Sequence, residues 1–128
     1  MSNVYGNIFV CKKIQEANDS AVLIAPLADF SVPFLPTTVS FSVYANAVIE
    51  GKIDSPTVEI SIIRASVPDS ELFSAGGELR GTGQFIEIKY DVSDLILKEE
   101  GTYQAIFKID DNVVATYTFN VTNNNIDL

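Results

Sequence analysis

The chain contains no histidine and no tryptophan, and its only cysteine is Cys11. Without histidine it can build neither a Ser-His-Asp nor a Cys-His catalytic triad, nor a zinc site with imidazole ligands. A single cysteine excludes a disulfide within the chain and the remaining common structural zinc sites. We expect Cys11 to be a small apolar strand residue, because a reactive thiol needs an electropositive, partly exposed setting.

Basic residues are also scarce, since 8 lysines and arginines stand against 17 aspartates and glutamates and leave a net charge of −9. Such a charge repels nucleic-acid phosphates and anionic lipid headgroups. We therefore expect neither nucleic acid nor a membrane among the partners of the protein. The same charge favours solubility in a chain with many strands whose edges can pair with neighbouring molecules.

Long apolar runs are absent too, because the longest, such as residues 21–27, are far shorter than the about 20 residues of a membrane-spanning helix. Met1 leads into a polar opening rather than a basic and apolar signal, which predicts an untargeted cytoplasmic protein. The 128 residues, 47% of them hydrophobic, fit one folded domain over residues 1–128. We expect a frayed tail at 122–128.

A two-residue alternation of apolar and polar side chains is the dominant pattern in the chain. The longest example runs from Thr38 to Ile49, where alternate positions are apolar and the intervening ones include serine, tyrosine and asparagine. This is the period of a strand with one buried face, and no segment shows the 3.6-residue period of a helix. The pattern predicts an all-β fold, an antiparallel sandwich of about seven strands.

Three segments depart from this alternation. Residues 29–37 contain two prolines, which make a helix improbable, and we predict an ordered crossing segment there. Residues 68–83 are predicted to hold a short hairpin with a flexible tip, and residues 93–100 at most one helical turn. The flexible tip is predicted from four glycines: Gly76, Gly77, Gly81 and Gly83. They do not form a phosphate-binding loop, since no lysine and no helix follow them as that loop requires.

Residues 99–105 carry the most specific local signal. Gly101 permits backbone angles that a side chain disfavours as a loop enters a strand, and Tyr103 follows it closely. In a tyrosine corner the ring is buried and its hydroxyl bonds a backbone group a few residues upstream. We therefore predict structural roles for Gly101 and Tyr103, and core positions for Phe41 and Phe107 on the apolar faces of their strands.

The run Glu99-x-Gly101-x-Tyr103-x-Ala105 resembles the acid-x-Gly-x-Tyr-x-Cys signature of immunoglobulin domains. Ala105 stands where that signature has its second cysteine, so the resemblance implies an immunoglobulin-like sandwich without the disulfide. Because the chain has no tryptophan, phenylalanine and aliphatic side chains have to fill the core.

A second resemblance extends over more of the chain. It consists of an opening strand, the Phe34-x-Pro36 segment before the long alternating strand, the run Leu97-x-x-x-Gly101-x-Tyr103, and the closing Phe119-x-Val121. In these features the chain is similar to an uncharacterised bacterial family of small, single-domain β-sandwich proteins. The resemblance implies this fold and a bacterial or phage source, and it implies no activity.

Catalytic and metal-binding signals are weak. Three acidic pairs fall in predicted turns: Asp91 with Asp94, Glu99 with Glu100, and Asp110 with Asp111. Acids in turns ordinarily act as solvated turn formers, so we predict no catalytic residue, no cofactor and no metal ligand. The alternative is that these loops bind calcium, which takes six to eight oxygen ligands, although the chain has no Asp-x-Asp-x-Asp-Gly run.

Large apolar side chains on the predicted outer faces are the remaining functional signal: Tyr44, Phe85, Ile63 and Ile106. Aromatic residues are enriched in protein interfaces, whereas the lack of tryptophan weakens the case for a site that stacks sugars. We therefore expect a non-enzymatic interaction module or assembly component that contacts a protein partner or a copy of itself. A sandwich that binds a carbohydrate or calcium with loops at one end is the alternative.

Overall fold

Nine β-strands make up most of the described chain. The structure is a computed structural model and describes residues 3–18, 20–51, 55–79 and 85–124. The strands are β1 (Asn3–Ala17), β2 (Ser20–Pro26), β3 (Asp29–Val32), β4 (Thr37–Glu50), β5 (Thr57–Arg64), β6 (Val67–Glu78), β7 (Phe85–Leu97), β8 (Gly101–Ile109) and β9 (Asn112–Asn123). Within these ranges, no helix has the length and apolar character needed to cross a membrane.

The strands form two sheets that enclose one apolar core. The first sheet has the order β2-β1-β4-β7, and the second sheet has the order β3-β9-β8-β5-β6. Neighbouring strands are antiparallel except β3 and β9, which run parallel. Cys11 is a free thiol. The predicted all-β, immunoglobulin-like sandwich without a disulfide is confirmed.

β4 is the central strand that its alternation predicts. It pairs with β1 on one side and with β7 on the other. Its inward side chains from Phe41 to Ile49 are at most 3% exposed. Because alternate residues of a strand point to opposite faces, one buried face per strand is enough to produce the pattern seen in the sequence.

Four aromatic rings join the two sheets and form what we term the aromatic cluster: Phe41 of the first sheet, and Phe30, Tyr103 and Phe119 of the second. The ring centroid of Phe41 lies 5.5 Å from that of Phe30 and 6.2 Å from that of Phe119. Tyr103 stacks on Phe119 at 5.8 Å. Phe107 is fully buried in the same core. The aromatic cluster occupies the role that a tryptophan and a disulfide share in antibody domains.

Two segments are more regular than the sequence predicts, which raises the strand count above seven. Residues 29–32 of the predicted crossing segment form β3, which pairs with the end of β9. β6 is one continuous strand rather than a hairpin, with Gly76 and Gly77 inside it rather than at a tip. Its ladder to β5 is unbroken from Glu78 back to Phe73, and this long-range pairing overrides the low strand preference of glycine. Gly81 and Gly83 lie outside the described residues.

Two further segments extend regular strands. Residues 93–100, predicted to hold at most one helical turn, hold none, because β7 continues to Leu97 through a bulge at which Asp94 has a φ of 55°. The amide of Asp94 donates a hydrogen bond of 3.0 Å to Ser40 Oγ, which fixes this bulge. β9 extends to Asn123, so the first two residues of the predicted frayed tail belong to a strand. Residues 125–128 lie outside the described residues.

Tyr103 lies where the chain passes from β7 in the first sheet to β8 in the second. Its ring is 2% exposed, and its hydroxyl donates a hydrogen bond of 2.6 Å to the Glu99 carbonyl. Burial raises the pKa of Tyr103, so the hydroxyl keeps the proton that this bond needs. Gly101 has a φ of 143°, where a side chain is strained, and Arg64 Nη2 donates to the Glu100 carbonyl at 3.1 Å. The crossover is thus a tyrosine corner.

Gly6 of β1 packs tightly against Val114 of β9. A Cβ atom at position 6 is placed 2.2 Å from Val114 Cγ1 and 3.1 Å from the Asn46 carbonyl oxygen. Neither the branched side chain of Val114 nor the backbone of β4 can yield easily. The contact therefore requires a residue without a side chain.

We expect Tyr103→Phe to lower the free energy of unfolding by about 0.5–1.5 kcal/mol, because the Glu99 carbonyl loses its buried donor. Tyr5→Phe is the matched control, since the Tyr5 side chain is 59% exposed and water solvates its hydroxyl equally well in the folded and unfolded chain. Urea unfolding of both variants measures the difference. Equal stabilities for the two variants would contradict a structural role for the Tyr103 hydroxyl.

We expect Gly6→Ala to destabilise the protein by about 1–3 kcal/mol, the usual effect of overpacking. Adding Val114→Ala removes the atom that the new methyl group meets, so the double variant should be more stable than the sum of the two single changes allows. Thermal or urea unfolding of the four proteins gives this coupling energy. Strict additivity would show that the Gly6–Val114 approach does not limit the packing of β1 on β9.

Candidate functional site

The four apolar residues predicted to form an interaction surface do not lie together. Tyr44 and Phe85 belong to the first sheet, whereas Ile63 and Ile106 belong to the second. Phe85 is 59% exposed, but Tyr44 and Ile63 are buried at 9% and 8%, and Ile106 is half-buried. The prediction of a shared exposed surface is therefore wrong for Tyr44, Ile63 and Ile106. Ile63 and Ile106 lie on β5 and β8, which pair with each other in the middle of the second sheet.

A hairpin over the outer face explains the burial of Tyr44. β1 pairs with β4 through its first half and with β2 through its second half. Near the end of β1, Glu16 contacts the ammonium group of Lys89 on β7, although β4 separates β1 from β7 in the sheet. The β1–β2 hairpin therefore leans over β4, where the outward side chains of Ser42 and Tyr44 are 5% and 9% exposed.

Polar contacts beneath the hairpin form a connected set, which we term the Tyr44 network: Tyr44, Asn46, Glu87, Lys89 and Glu16. The hydroxyl of Tyr44 donates to a carboxylate oxygen of Glu87 at 2.6 Å. Asn46 Nδ2 donates to the Tyr44 hydroxyl at 3.4 Å. Lys89 Nζ lies 3.4 Å from the other Glu87 oxygen and also contacts Glu16. The network thus links the end of the hairpin to β4 and β7.

The contacts in the Tyr44 network keep each ionisable group in the protonation state that it usually has at neutral pH. The hydrogen bond from Tyr44, together with Lys89, lowers the pKa of Glu87. Burial and the Glu87 contact raise the pKa of Tyr44, and the Glu16 carboxylate raises the pKa of Lys89. General acid–base catalysis needs a pKa near the working pH, and all three shifts lead away from it. The arrangement favours anchoring the hairpin over transferring protons.

An exposed apolar row crosses the first sheet at the end that the hairpin does not cover. It consists of Tyr5 on β1, Val48 on β4 and Phe85 on β7, and we term it the apolar strip. Tyr5 pairs directly with Val48, and Val48 pairs directly with Phe85. The three residues are 59%, 52% and 59% exposed. Because directly opposite Cβ atoms lie about 4.5–5.5 Å apart, the three side chains form one continuous surface.

Polar residues border the apolar strip on both sides. Towards the hairpin, the next outward row is Asn7, Asn46 and Glu87, in which Asn7 Nδ2 donates to Asn46 Oδ1 at 3.2 Å. On the other side lie Asn3 and Glu50, paired with each other. An apolar centre within a polar rim is the usual composition of a protein interface.

Sequence reasoning found one of the three residues of the apolar strip, Phe85. It missed Tyr5 because the first strand has apolar residues on both faces and its inward face is ambiguous. It missed Val48 although a large apolar side chain at an outward position of β4 was a usable signal. What no pattern supplies is the register that aligns the three residues, because pairing is decided between distant segments.

A groove of about 590 Å³ opens between the edges of the two sheets, on the side where β6 and β7 lie, and we term it the β6–β7 groove. Val58 and Ile60 of β5 and Ile88 and Tyr90 of β7 contribute apolar side chains to it. Residues 74–79 of β6 and its end form the opposite wall. Pockets of about 300–1,000 Å³ with apolar linings are typical of ligand sites.

Small residues on β6 create this space. Gly77 is paired with the inward residue Val58, and no atom lies within 4 Å of the position that its Cβ would take. At one end, the groove is closed by the ring of Phe73, whose centroid lies 5.3 Å from that of Tyr90. Gly76 and Gly77, which the sequence assigns to a flexible tip, therefore form part of the β6 wall of the groove.

Acidic residues from the predicted turns accept hydrogen bonds that stabilise the fold. Asp91 lies within β7 rather than in a turn and accepts a hydrogen bond of 2.6 Å from Ser42 Oγ. Asp110 accepts a bond of 2.9 Å from the Thr57 amide, and with Asp111 it forms the tight β8–β9 turn, both residues having positive φ. Across residues 3–18, 20–51, 55–79 and 85–124, no group of three or more carboxylate, thiol or imidazole side chains is placed to hold a metal ion.

Cys11 is fully buried, and its Sγ lies 3.6 Å from the Ser42 carbonyl oxygen, to which it donates. Burial raises the pKa of the thiol, so it stays protonated at neutral pH. This environment is that of a small apolar residue in a strand, as the sequence predicts.

We expect Tyr44→Phe to raise the pKa of Glu87 towards the ordinary glutamate value, because the variant removes the hydrogen bond that contributes most to lowering it. A carboxyl with a lowered pKa stabilises the fold above its ordinary pKa, about 4.3, and this contribution is lost as the pH falls through the folded-state value. The wild type should therefore lose more stability than the variant on acidification. Carboxyl-detected NMR titration measures the pKa, with Tyr103→Phe as the control in which Glu87 should titrate as in the wild type.

Comparison with known proteins gives no family assignment. No protein-family model matches the chain, and no curated protein matches it. The CARDB domain of a Pyrococcus furiosus protein, solved in complex with di-metal ions, is similar at 14% identity and a TM-score of 0.49, over 95% of this chain and 94% of that one. Membership of an uncharacterised bacterial family is thus not supported.

Two further similar structures are larger enzymes. A β-glucosidase from Listeria innocua, in complex with isofagomine, is 8% identical with a TM-score of 0.49, over 98% of this chain and 17% of the enzyme. The alkylpurine DNA glycosylase AlkC from Pseudomonas fluorescens, bound to DNA, is 8% identical with a TM-score of 0.48, over 94% of this chain and 30% of the enzyme. The chain spans less than a third of either enzyme.

Proposed function

We propose that the protein is a non-enzymatic assembly component that contacts a second copy of itself through the apolar strip. The observation that carries the proposal is the direct alignment of Tyr5, Val48 and Phe85 on one sheet face, each more than half exposed. Contiguous exposed apolar side chains with a polar rim mark interaction sites more often than isolated ones do.

The apolar strip is complementary to itself. A two-fold axis that runs along the strip places each of its residues, Tyr5, Val48 and Phe85, against the same residue of the second copy. An isologous interface requires this arrangement. The same axis brings the polar rows on its two sides together, so that Glu50 of one copy faces the row of Asn46 in the other. Glu50 of one copy also lies beside Glu87 of the other, and this pair of like charges opposes the contact.

Size and charge set the strength of this contact. Three side chains cover much less than the about 800 Å² per partner of a stable interface, so the association is weak and reversible. The net charge of −9 on each copy opposes it. Added salt shortens the Debye length from about 10 Å at 0.1 M to about 3 Å at 1 M and so favours the dimer.

The Tyr44 network supports a role without catalysis. It contains the carboxylates, phenol and amine that acid–base chemistry uses, but its contacts move their pKa values away from neutrality. The Cys11 thiol is buried and protonated. Neither group is prepared for proton transfer or nucleophilic attack.

Ligand binding is the second candidate function, and one observation favours it: the β6–β7 groove has the volume and apolar lining of a ligand site. It lies along the side of the sandwich rather than among the loops at one end. Titration with calcium and a glycan array test the two ligand classes that the sequence leaves open.

We expect sedimentation equilibrium to show a mass that rises above the 13.9 kDa of one chain as protein concentration and sodium chloride increase. Phe85→Asp should keep the protein monomeric, because it places a carboxylate in the apolar strip. Ile96→Asp is the matched control: it changes another exposed apolar residue of β7, 54% exposed, at the other end of the strand. A wild type that stays monomeric at high salt, or equal effects of the two variants, would refute the contact.

A further inference from the structure

We infer that the β6–β7 groove binds an extended peptide segment, apolar at alternate positions and positively charged, which adds to the free edge of β7 as a further strand of the first sheet. This inference concerns a different surface from the apolar strip and does not depend on dimer formation.

Among the described residues, no strand pairs with β7 on the side away from β4. β7 and β6 are the edge strands of their sheets on the same side of the sandwich, and Phe73 of β6 contacts Tyr90 of β7. Beyond Tyr90 the inner face of β6 has no strand of the first sheet opposite it in the described residues, and the β6–β7 groove lies there. A strand added beside β7 would cover this face.

The edge of β7 is suited to pairing. Its residues from Phe85 to Asp91 pair one by one with β4 without a bulge, which leaves the backbone on the other edge in regular extended form. Within the described part of the chain, β4 is the only strand that pairs with β7. A regular free edge supplies alternating amide donors and carbonyl acceptors to an incoming strand.

The groove selects the side chains of such a segment. It runs along the six residues 74–79, at the end of β6 and just beyond it, or about 20 Å at the rise of a strand. An incoming segment of that length directs about three side chains inward. Val58 and Ile60 lie at the base of the groove with only 6% and 2% of their surfaces exposed, whereas Gly77 leaves open space on β6 that an apolar side chain can enter.

Charge adds a second requirement. Glu59 and Glu78 are the charged residues among the described residues that line the groove, and no basic residue joins them there. Neither takes part in an ion pair within the described part of the chain. Both carboxylates alternate with the inward residues Val58 and Gly77 and so lie at the outer rim of the groove, and together with the net charge of −9 they favour a positively charged segment.

The experiment uses a displayed library of random nine-residue peptides, selected on the full chain and counter-selected on Gly77→Leu. The leucine side chain fills the groove without displacing an atom of β6 or β5 near its Cβ. Enriched peptides are synthesised with a fluorescent label, and their affinity is measured by fluorescence anisotropy. Thr116→Leu is the matched control, because it adds the same side chain to an exposed position of β9.

The expected result is enrichment of basic peptides with alternate apolar residues, whose affinity falls about tenfold or more with Gly77→Leu and is unchanged with Thr116→Leu. Glu78→Arg changes an exposed side chain and should also weaken binding, so the inference remains testable if Gly77→Leu does not fold. Amide shifts on binding should be largest in β7 and β6. Tyr5→Asp, which breaks the apolar strip, should bind the peptides as the wild type does, which separates the two proposals.

Three results would overturn the inference. Peptides that bind Gly77→Leu as tightly as the wild type do not use the groove. Failure to enrich any peptide, combined with binding of the apolar dye N-phenyl-1-naphthylamine that Gly77→Leu abolishes, identifies a small-molecule site. A dimer that Gly77→Leu abolishes and Phe85→Asp does not identifies a second copy as the occupant.

Discussion

The aromatic cluster is the contact on which the rest of the structure depends. Phe41 brings the central strand of the first sheet against Phe30 and Phe119 of the second, and Tyr103 stacks on Phe119. Aromatic pairs of this kind add about 0.5–1.5 kcal/mol each beyond the burial of their surface. In a chain without disulfide or tryptophan, they hold the sheets at a defined spacing. The hydroxyl of Tyr103 then ties the β7–β8 crossover to the same point through the Glu99 carbonyl.

Both candidate binding surfaces follow from elements that fail to cover the sandwich completely. The β1–β2 hairpin covers one end of the outer face of the first sheet through the contact of Glu16 with Lys89, and the apolar strip is what remains exposed at the other end. β7 and β6 are the edge strands of the two sheets on the same side, and the β6–β7 groove is the space between them. Polar or bulky residues could have closed either surface, but the chain has Val48 at one and Gly77 at the other.

Local patterns predicted those elements whose environment repeats along the strand. The alternation from Thr38 to Ile49 identifies β4 and its buried face, and the spacing of Gly101 and Tyr103 identifies the crossover. β6 was missed because glycines lower strand preference locally, whereas its pairing with β5 is a long-range effect. Tyr44 lies on the outer face of β4, as predicted. It is buried rather than exposed, because a hairpin from another part of the chain covers it.

The sequence by itself determined the class of fold, the face of each regular strand and the absence of histidine and disulfide chemistry, because these depend on composition and on a period of two residues. Only the tertiary structure decided that Tyr5, Val48 and Phe85 form one row, and that Gly76 and Gly77 line a groove. The physical reason is that register and relative sheet width are set by contacts between segments far apart in the chain. The apolar and polar pattern of one strand is the same whichever strand it pairs with, so the pattern alone does not specify the register.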